Sequence, residues 1–129
     1  MALLLDTTVL IDALRGRPAA QRLAALREHG EVPYFCAVNA DELMRGVRVE
    51  EIGRAAVLMA SLRTAPMNYL AGALAGTWRR EFAKQGITLH QSDCLVAAAA
   101  VGVHATIATG NPEHFPMDGV TVEHWPVGE

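Results

Sequence analysis

The feature that most constrains the fold is a short apolar run, ALLL at residues 2–5, that stops at Asp6. A run that is apolar at successive positions is typical of a strand buried on both faces, as in the middle of a parallel sheet. The run therefore predicts a central, fully buried strand at the beginning of the chain.

Short apolar strands and helical patterns alternate along the rest of the chain. Residues 64–68 are ambiguous, because Pro66 favours a loop or an edge strand. Strands separated by helices predict a single α/β domain over residues 1–129, with a mainly parallel central sheet of about four to five strands flanked by helices. The predicted strands are 2–5, 32–36, 105–109 and 120–123, and the predicted helices are 9–14 (capped by Thr7 or Thr8), 18–29, 40–49, 50–62, 69–84 and 94–101 (capped by Ser92 or Asp93).

Composition narrows the class of protein. Of the 129 residues, 51% are hydrophobic, which is too apolar for a disordered chain. The uncharged stretch 64–78 is shorter than the ~20 apolar residues of a membrane span, and the N-terminus lacks a basic signal region. We therefore expect a soluble, cytoplasmic protein with no membrane partner, in which Cys36 and Cys94 are buried thiols. The net charge of −3 means that a nucleic acid would need a local basic patch.

Polar side chains follow the predicted strands at the ends where parallel sheets bind ligands. Asp6 follows the first strand, Glu42 the second and Asn111 the third, while Asp93 begins a helix that is otherwise almost wholly apolar. Carboxylates brought together repel one another unless a cation neutralises them. Oxygen ligands without a histidine or cysteine partner favour Mg²⁺ or Mn²⁺ over zinc. The sequence therefore predicts a metal site at this edge.

Each of these side chains also has an ordinary local interpretation. Asp6 and Asp93 are typical helix N-caps, and Glu42 can pair with Arg45 three residues later. Asn111 precedes a proline, as is common in turns. Only the joint placement of the four side chains favours the metal site.

Four segments carry these residues: LLDTTVLI at 4–11, ADELMRG at 40–46, SDCLVAAAA at 92–100 and TGNPEHF at 109–115. In sequence, order and spacing they resemble the motifs of PIN domains, specifically the VapC-type toxins of bacterial toxin–antitoxin pairs. The resemblance covers residues 3–122. It implies a five-stranded parallel sheet between helices, cleavage of RNA that depends on Mg²⁺ or Mn²⁺, and inhibition by a cognate VapB-type antitoxin.

The resemblance also implies roles for individual residues. Asp6, Glu42 and Asp93 are expected to bind the metal and to be catalytic together with Asn111, and Thr7 or Thr8 is expected to support the site through a hydroxyl. Asn111 departs from the family pattern, because many PIN domains carry Asp there. This departure lowers the negative charge of the site and supports one alternative, a degenerate module that binds RNA or protein without cleaving.

Substrate contacts are expected from arginines near the site. Arg15 follows the first helix and Arg45 lies on the helix of Glu42, so these two are predicted to bind RNA; the alternative for any exposed arginine is a solvated surface. No histidine is needed as a base, and His114 is expected to pack within its turn.

Other enzyme classes fit less well. A haloacid-dehalogenase-type phosphatase needs a second Asp two residues after the first, where this chain has Thr8, and the chain contains a single lysine. A phospho-receiver domain needs an acidic pair near the first strand and a mid-chain acceptor Asp at a strand end, which are missing. A metal-dependent nuclease that is not a toxin is the remaining enzymatic alternative.

Three predicted helices, 9–14, 18–29 and 50–62, carry more apolar residues than one inner face requires. This excess predicts an exposed apolar groove, which suits an amphipathic helix of a partner protein. We expect the antitoxin to occupy that groove and a homodimer to cover part of the same surface.

Overall fold

The computed structural model describes residues 2–128. Strands and helices alternate from the start of the chain, as the sequence predicts, and two short 3₁₀ turns interrupt them at Val49–Glu51 and Pro112–His114. The elements are β1 (Leu3–Leu5), α1 (Thr7–Leu14), α2 (Pro18–Glu28), β2 (Tyr34–Phe35), α3 (Ala37–Gly46), α4 (Ile52–Ala60), β3 (Arg63–Thr64), α5 (Tyr69–Lys84), α6 (Gln91–Gly102), β4 (Thr106–Thr109) and β5 (Val122–His124).

The strands form one sheet with β1 at its centre. Within residues 2–128 the sheet has five strands in the order β3-β2-β1-β4-β5, and every pair is parallel. Strand β1 pairs with β4 from Leu3 opposite Thr106 to Leu5 opposite Ala108, and all three β1 residues are buried. The predicted α/β class is therefore confirmed. The edge strand β3 overlaps the ambiguous segment 64–68 at Thr64 only, and the rest of that segment is a loop before α5.

Helices cover both faces of this sheet because β1 and β4 are apolar on both sides. Leu4 and Ile107 pack against α5 and α6 on one face, and Leu5 packs against α1 to α4 on the other. Helix α6 lies close to the sheet because its buried residues are small. Four of them, residues 97–100, are alanines with at most 2% of their surface exposed.

Three helices begin earlier than the sequence predicts, and two of the others are shorter than predicted: α2 ends at Glu28 and α4 spans Ile52–Ala60. Helix α1 already includes Thr7, with Asp6 at its N-cap position but no capping bond from the Asp6 side chain. Helix α3 begins at Ala37 rather than at residue 40, because the Asn39 side chain accepts a hydrogen bond from the backbone N–H of Cys36 and so caps the helix earlier. Helix α6 begins at Gln91, so Asp93 lies in its first turn and is not the cap.

Arg15 forms an ion pair within the fold. Its guanidinium donates to the carboxylate of Glu51 with N–O distances of 3.2 and 3.4 Å, and Glu51 is only 3% exposed. Arg15 and the backbone N–H of Arg48 together hold the pKa of Glu51 at about 2. This ion pair joins the end of α1 to the start of α4, and the predicted contact of Arg15 with RNA stays a prediction.

Both cysteines are buried free thiols, as predicted. Burial raises the pKa of Cys36 and of Cys94. Across residues 2–128, no helix has the length and apolarity needed to cross a membrane.

Candidate active site

The four predicted acidic and amide side chains meet at one cavity. Asp6 follows β1, Glu42 comes from α3, Asp93 from the first turn of α6, and Asn111 from the loop after β4. They converge because parallel strands place all their carboxyl ends at the same edge of the sheet. The cavity measures about 380 Å³ and is lined by Asp6, Thr7, Thr8, Glu42, Arg45, Gly46, His90, Ser92, Asp93, Asn111 and His114.

Asp6 is the most buried of these carboxylates, at 7% exposure. Its Oδ2 atom accepts hydrogen bonds from the hydroxyls of Thr109 at 2.8 Å and Thr8 at 3.4 Å. Each hydroxyl in turn accepts a backbone N–H from the loop after β4: Thr8 from Gly110 and Thr109 from Asn111. These bonds orient the carboxylate and tie it to the loop that carries Asn111.

Glu42 is held by the other predicted hydroxyl. Thr7 Oγ1 donates to Glu42 Oε1 over 2.6 Å. Thr7 and Thr8 therefore both line the cavity, and each hydroxyl contacts a different carboxylate.

Asp93 is the carboxylate whose ionisation the site opposes. Burial raises the pKa of Asp93, and the negative charges of Asp6 and Glu42 raise it further, while His114 and His90 act in the opposite direction. The net shift is upward. The three carboxylates are thus close enough to repel one another, which is the electrostatic state that a bound cation relieves.

His114 lies in the cavity wall rather than only in its turn. Its Nδ1 atom is 3.8 Å from Asp93 Oδ2, and its side chain is 45% exposed. The expectation of turn packing was wrong, because the 3₁₀ turn at Pro112–His114 directs this ring toward α6.

The donor set fits a hard divalent cation. Three carboxylates and one amide supply oxygen donors, and the lining also contains His90 and His114 but no cysteine. Because oxygen donors predominate, the set favours Mg²⁺ or Mn²⁺. The carboxylates line the same cavity but are not yet close enough to share one ion. Nowhere in residues 2–128 do three Asp, Glu, His or Cys side chains form a cluster that could hold an ion. Two of the four residues expected to surround an ion, Asp6 and Glu42, are oriented by hydroxyls.

Sequence reasoning missed several residues at this edge. Thr109 is not among the predicted site residues, although it is the last residue of a predicted strand and its hydroxyl donates to Asp6. His90 and Ser92 flank the start of α6, and their position became evident only with the true start of that helix. Of the two predicted RNA-binding arginines, Arg45 lines the cavity and Arg15 does not.

Comparison with known proteins agrees with this geometry. The family model described as the PIN domain matches residues 3–117. The chain belongs to the PIN-domain family. Ribonuclease VapC19 of Mycobacterium tuberculosis is 32% identical over 115 residues, which are 88% of this chain and 92% of that protein. Ribonuclease VapC10 of the same species is 34% identical over 116 residues, 89% of this chain and 86% of that protein. The resemblance inferred from the four motifs is confirmed.

Solved structures show the same fold. The Rickettsia felis VapBC2 complex, bound to a DNA fragment from its promoter, superposes with a TM-score of 0.84 at 19% identity, covering 97% of this chain and 99% of that one. The DNA-bound VapBC of Salmonella typhimurium gives 0.83 at 19% identity, covering 97% and 98%. The predicted PIN-like sheet between helices is therefore confirmed.

The raised pKa of Asp93 predicts a stability gain from Asp93→Asn. A carboxyl whose pKa is higher in the folded than in the unfolded protein costs stability above the folded pKa, and the cost disappears below the ordinary pKa of the unfolded chain. In EDTA at pH 8, Asp93→Asn should be at least as stable as the wild type, and its advantage should shrink as the pH falls toward 4. Urea unfolding across this range measures the effect.

The matched control is Asp41→Asn, which changes an exposed carboxylate on the same helix as Glu42. It should show no comparable pH-dependent gain. A clear loss of stability in Asp93→Asn at pH 8, relative to this control, would contradict the repulsion described for the site.

Proposed function

We propose that this protein is the toxin of a bacterial toxin–antitoxin pair and acts as an endoribonuclease that depends on Mg²⁺ or Mn²⁺. The observation that carries the proposal is the convergence of Asp6, Glu42, Asp93 and Asn111 on one cavity. Membership of the PIN-domain family supports nuclease chemistry, and the relatives VapC19 and VapC10 are both named ribonucleases. The proposal treats residues 1–129 as one nuclease domain.

In this proposal, Asp6, Glu42 and Asp93 hold the metal. When bound, a divalent ion supplies a nucleophile near neutral pH and neutralises charge that develops on the phosphate. The hydroxyls of Thr7 and Thr8 keep Glu42 and Asp6 facing the cavity against their mutual repulsion. Asn111 adds an amide oxygen without adding charge, so it orients an ion or a water molecule more weakly than Asp would.

The remaining lining residues suit a phosphodiester. Arg45 is an exposed cation on the helix of Glu42, and its guanidinium can donate two hydrogen bonds to one phosphate. In the hydrolysis, a water oxygen bonds to phosphorus and the bond to the 3′ oxygen breaks. That oxygen leaves as a hydroxyl, so the products carry 5′-phosphate and 3′-hydroxyl ends.

The protein partner in this proposal is a VapB-type antitoxin. Solved structures that share the fold include VapBC complexes. Helix α1 buries most of its apolar residues, contrary to the predicted excess, but α2 and α4 each leave apolar side chains exposed. These exposed residues, which we call the α2–α4 face, include Ala24 and Ala25 on α2 and Ile52 and Val57 on α4, of which Val57 is 71% exposed. We assign the antitoxin helix to this α2–α4 face. A homodimer stays a prediction.

Cleavage of RNA tests the enzymatic proposal. The purified protein should cut structured RNA in Mg²⁺ or Mn²⁺, EDTA should abolish cutting, and the new 5′ ends should carry phosphate. Removal of a metal ligand should lower the cleavage rate by more than the ~100-fold that is typical when a hydrogen-bond partner of such a ligand is removed. Asp93→Asn and Glu42→Gln should therefore be nearly inactive, whereas Asp41→Asn should cut normally. Mapping of 5′ ends in cells after induction identifies the RNA.

Three outcomes would contradict this proposal in different ways. Near-normal cleavage by Asp93→Asn would contradict the assignment of the metal ligands. No metal-dependent cleavage by the wild type would favour the alternative, a PIN module that binds without cutting. Cleavage without growth arrest in cells that lack the antitoxin would leave a nuclease that is not a toxin.

The antitoxin assignment predicts that Ala24→Glu releases the nuclease from inhibition. A carboxylate on the α2–α4 face cannot be buried against an apolar helix without a large desolvation cost. Cleavage by Ala24→Glu should equal that of the wild type, but the product of the neighbouring gene should no longer bind or inhibit it. Pull-down and inhibition assays measure this.

The control is Ala83→Glu, which places the same charge at an exposed position on α5. This variant should remain fully inhibited. Unchanged inhibition of Ala24→Glu and of a second variant on the same face, Val57→Glu, would exclude the α2–α4 face as the binding surface.

A further inference from the structure

Asn39 is a fully buried polar side chain that the proposed mechanism does not use. It lies on α3, one helical turn before Glu42, with 0% of its surface exposed. Its Oδ1 atom accepts the backbone N–H of Cys36 at 2.9 Å, and its Nδ2 atom donates to Thr7 Oγ1 at 3.2 Å. Thr7 Oγ1 in turn donates to Glu42 Oε1 at 2.6 Å.

Elementary chemistry fixes which atom donates in each of these two hydrogen bonds of Asn39. The N–H of Cys36 can only donate, so the atom of Asn39 that faces it must be the amide oxygen. The amide nitrogen then faces Thr7 and can only donate to it. Because a threonine hydroxyl has a single hydrogen, and Asn39 already donates to the oxygen of Thr7, that hydrogen is available for Glu42.

The direction of the last bond matters for the site. A hydroxyl without a fixed donor partner can rotate its hydrogen away and present a lone pair to a carboxylate, which repels it. With Asn39 in place, Thr7 presents its hydrogen to Glu42 and holds one carboxylate oxygen. The same arrangement recurs at Asp6, where Thr8 and Thr109 each accept a backbone N–H and donate to the carboxylate.

From this geometry we infer that Asn39 is a positioning residue for the active site: it orients the Thr7 hydroxyl, and through it the carboxylate of Glu42, for metal binding. The inference rests on the proposed function, because it gives Glu42 the role of a metal ligand. It adds a residue to the site that lies outside the cavity and contacts neither metal nor substrate.

A double-mutant cycle on Mn²⁺ affinity tests the inference. Calorimetry with Mn²⁺ alone is applied to the wild type, Asn39→Ala, Thr7→Val and the double variant, all below their unfolding temperatures. Removal of a hydrogen-bond partner of a metal ligand typically weakens metal affinity by about 10- to 100-fold. Asn39→Ala should weaken Mn²⁺ binding by about tenfold in the wild type and have no further effect in Thr7→Val, because its action passes through the Thr7 hydroxyl.

Three further variants separate positioning from stability. Thr7→Ser keeps the hydroxyl and should retain most of the wild-type affinity. Asn39→Ser still offers an acceptor to Cys36 but is too short to donate to Thr7, so it should fold and bind Mn²⁺ as weakly as Asn39→Ala. Asn68→Ala removes an asparagine that accepts a backbone N–H at the start of α5 and should leave Mn²⁺ affinity unchanged.

Crystal structures of metal-free wild type and Asn39→Ser give a readout that needs neither metal nor RNA. The inference predicts that the 2.6 Å contact between Thr7 and Glu42 is lost in Asn39→Ser. The inference would be overturned if the contact between Thr7 and Glu42 were unchanged in Asn39→Ser. It would also be overturned if Asn39→Ala weakened Mn²⁺ binding equally in the wild type and in Thr7→Val. Failure of the wild type to cleave RNA would instead count against the proposed function, while the crystal structures would still decide the role of Asn39.

Discussion

Repulsion between carboxylates is the constraint on which the rest of this structure depends. Asp6, Glu42 and Asp93 reach one cavity from three separate elements, and like charges brought this close repel one another when no cation is present. The chain opposes this repulsion with threonine hydroxyls that hold Asp6 and Glu42 in place. Asp93 has a histidine 3.8 Å away instead, and its pKa is raised. The site is thus arranged to gain from a divalent ion.

The fold supplies the convergence through packing of small and apolar side chains. Strands β1 and β4 pair in register at the centre of the sheet, which places Asp6 beside the end of β4 and its hydroxyl, Thr109. The alanines of α6 let this helix approach the sheet closely, so that its first turn brings Asp93 to the same edge. The central elements therefore serve mainly to bring distant polar residues together.

Local sequence patterns predicted the six helices and four of the five strands described within residues 2–128, together with the acidic residues that line the cavity, because strand ends and helix starts are marked by neighbouring residues. The helix at 69–84 matched α5 in full. Contacts between distant segments could not be predicted in this way. The pairing of Arg15 with Glu51, which lies 36 residues away, and the approach of His114 to Asp93 depend on how helices pack. The early start of α3 depends on one side chain, Asn39, whose partner is a backbone N–H.

We propose that Asp6, Glu42 and Asp93 form one metal site. Anomalous diffraction from crystals soaked in Mn²⁺ tests this most directly, since the ion reports its own position. We expect a peak in the cavity, within ligand distance of Asp6, Glu42 and Asp93, that is absent from crystals of Asp93→Asn. A cavity without a peak in well-occupied crystals, or an ion bound only elsewhere on the protein, would contradict it.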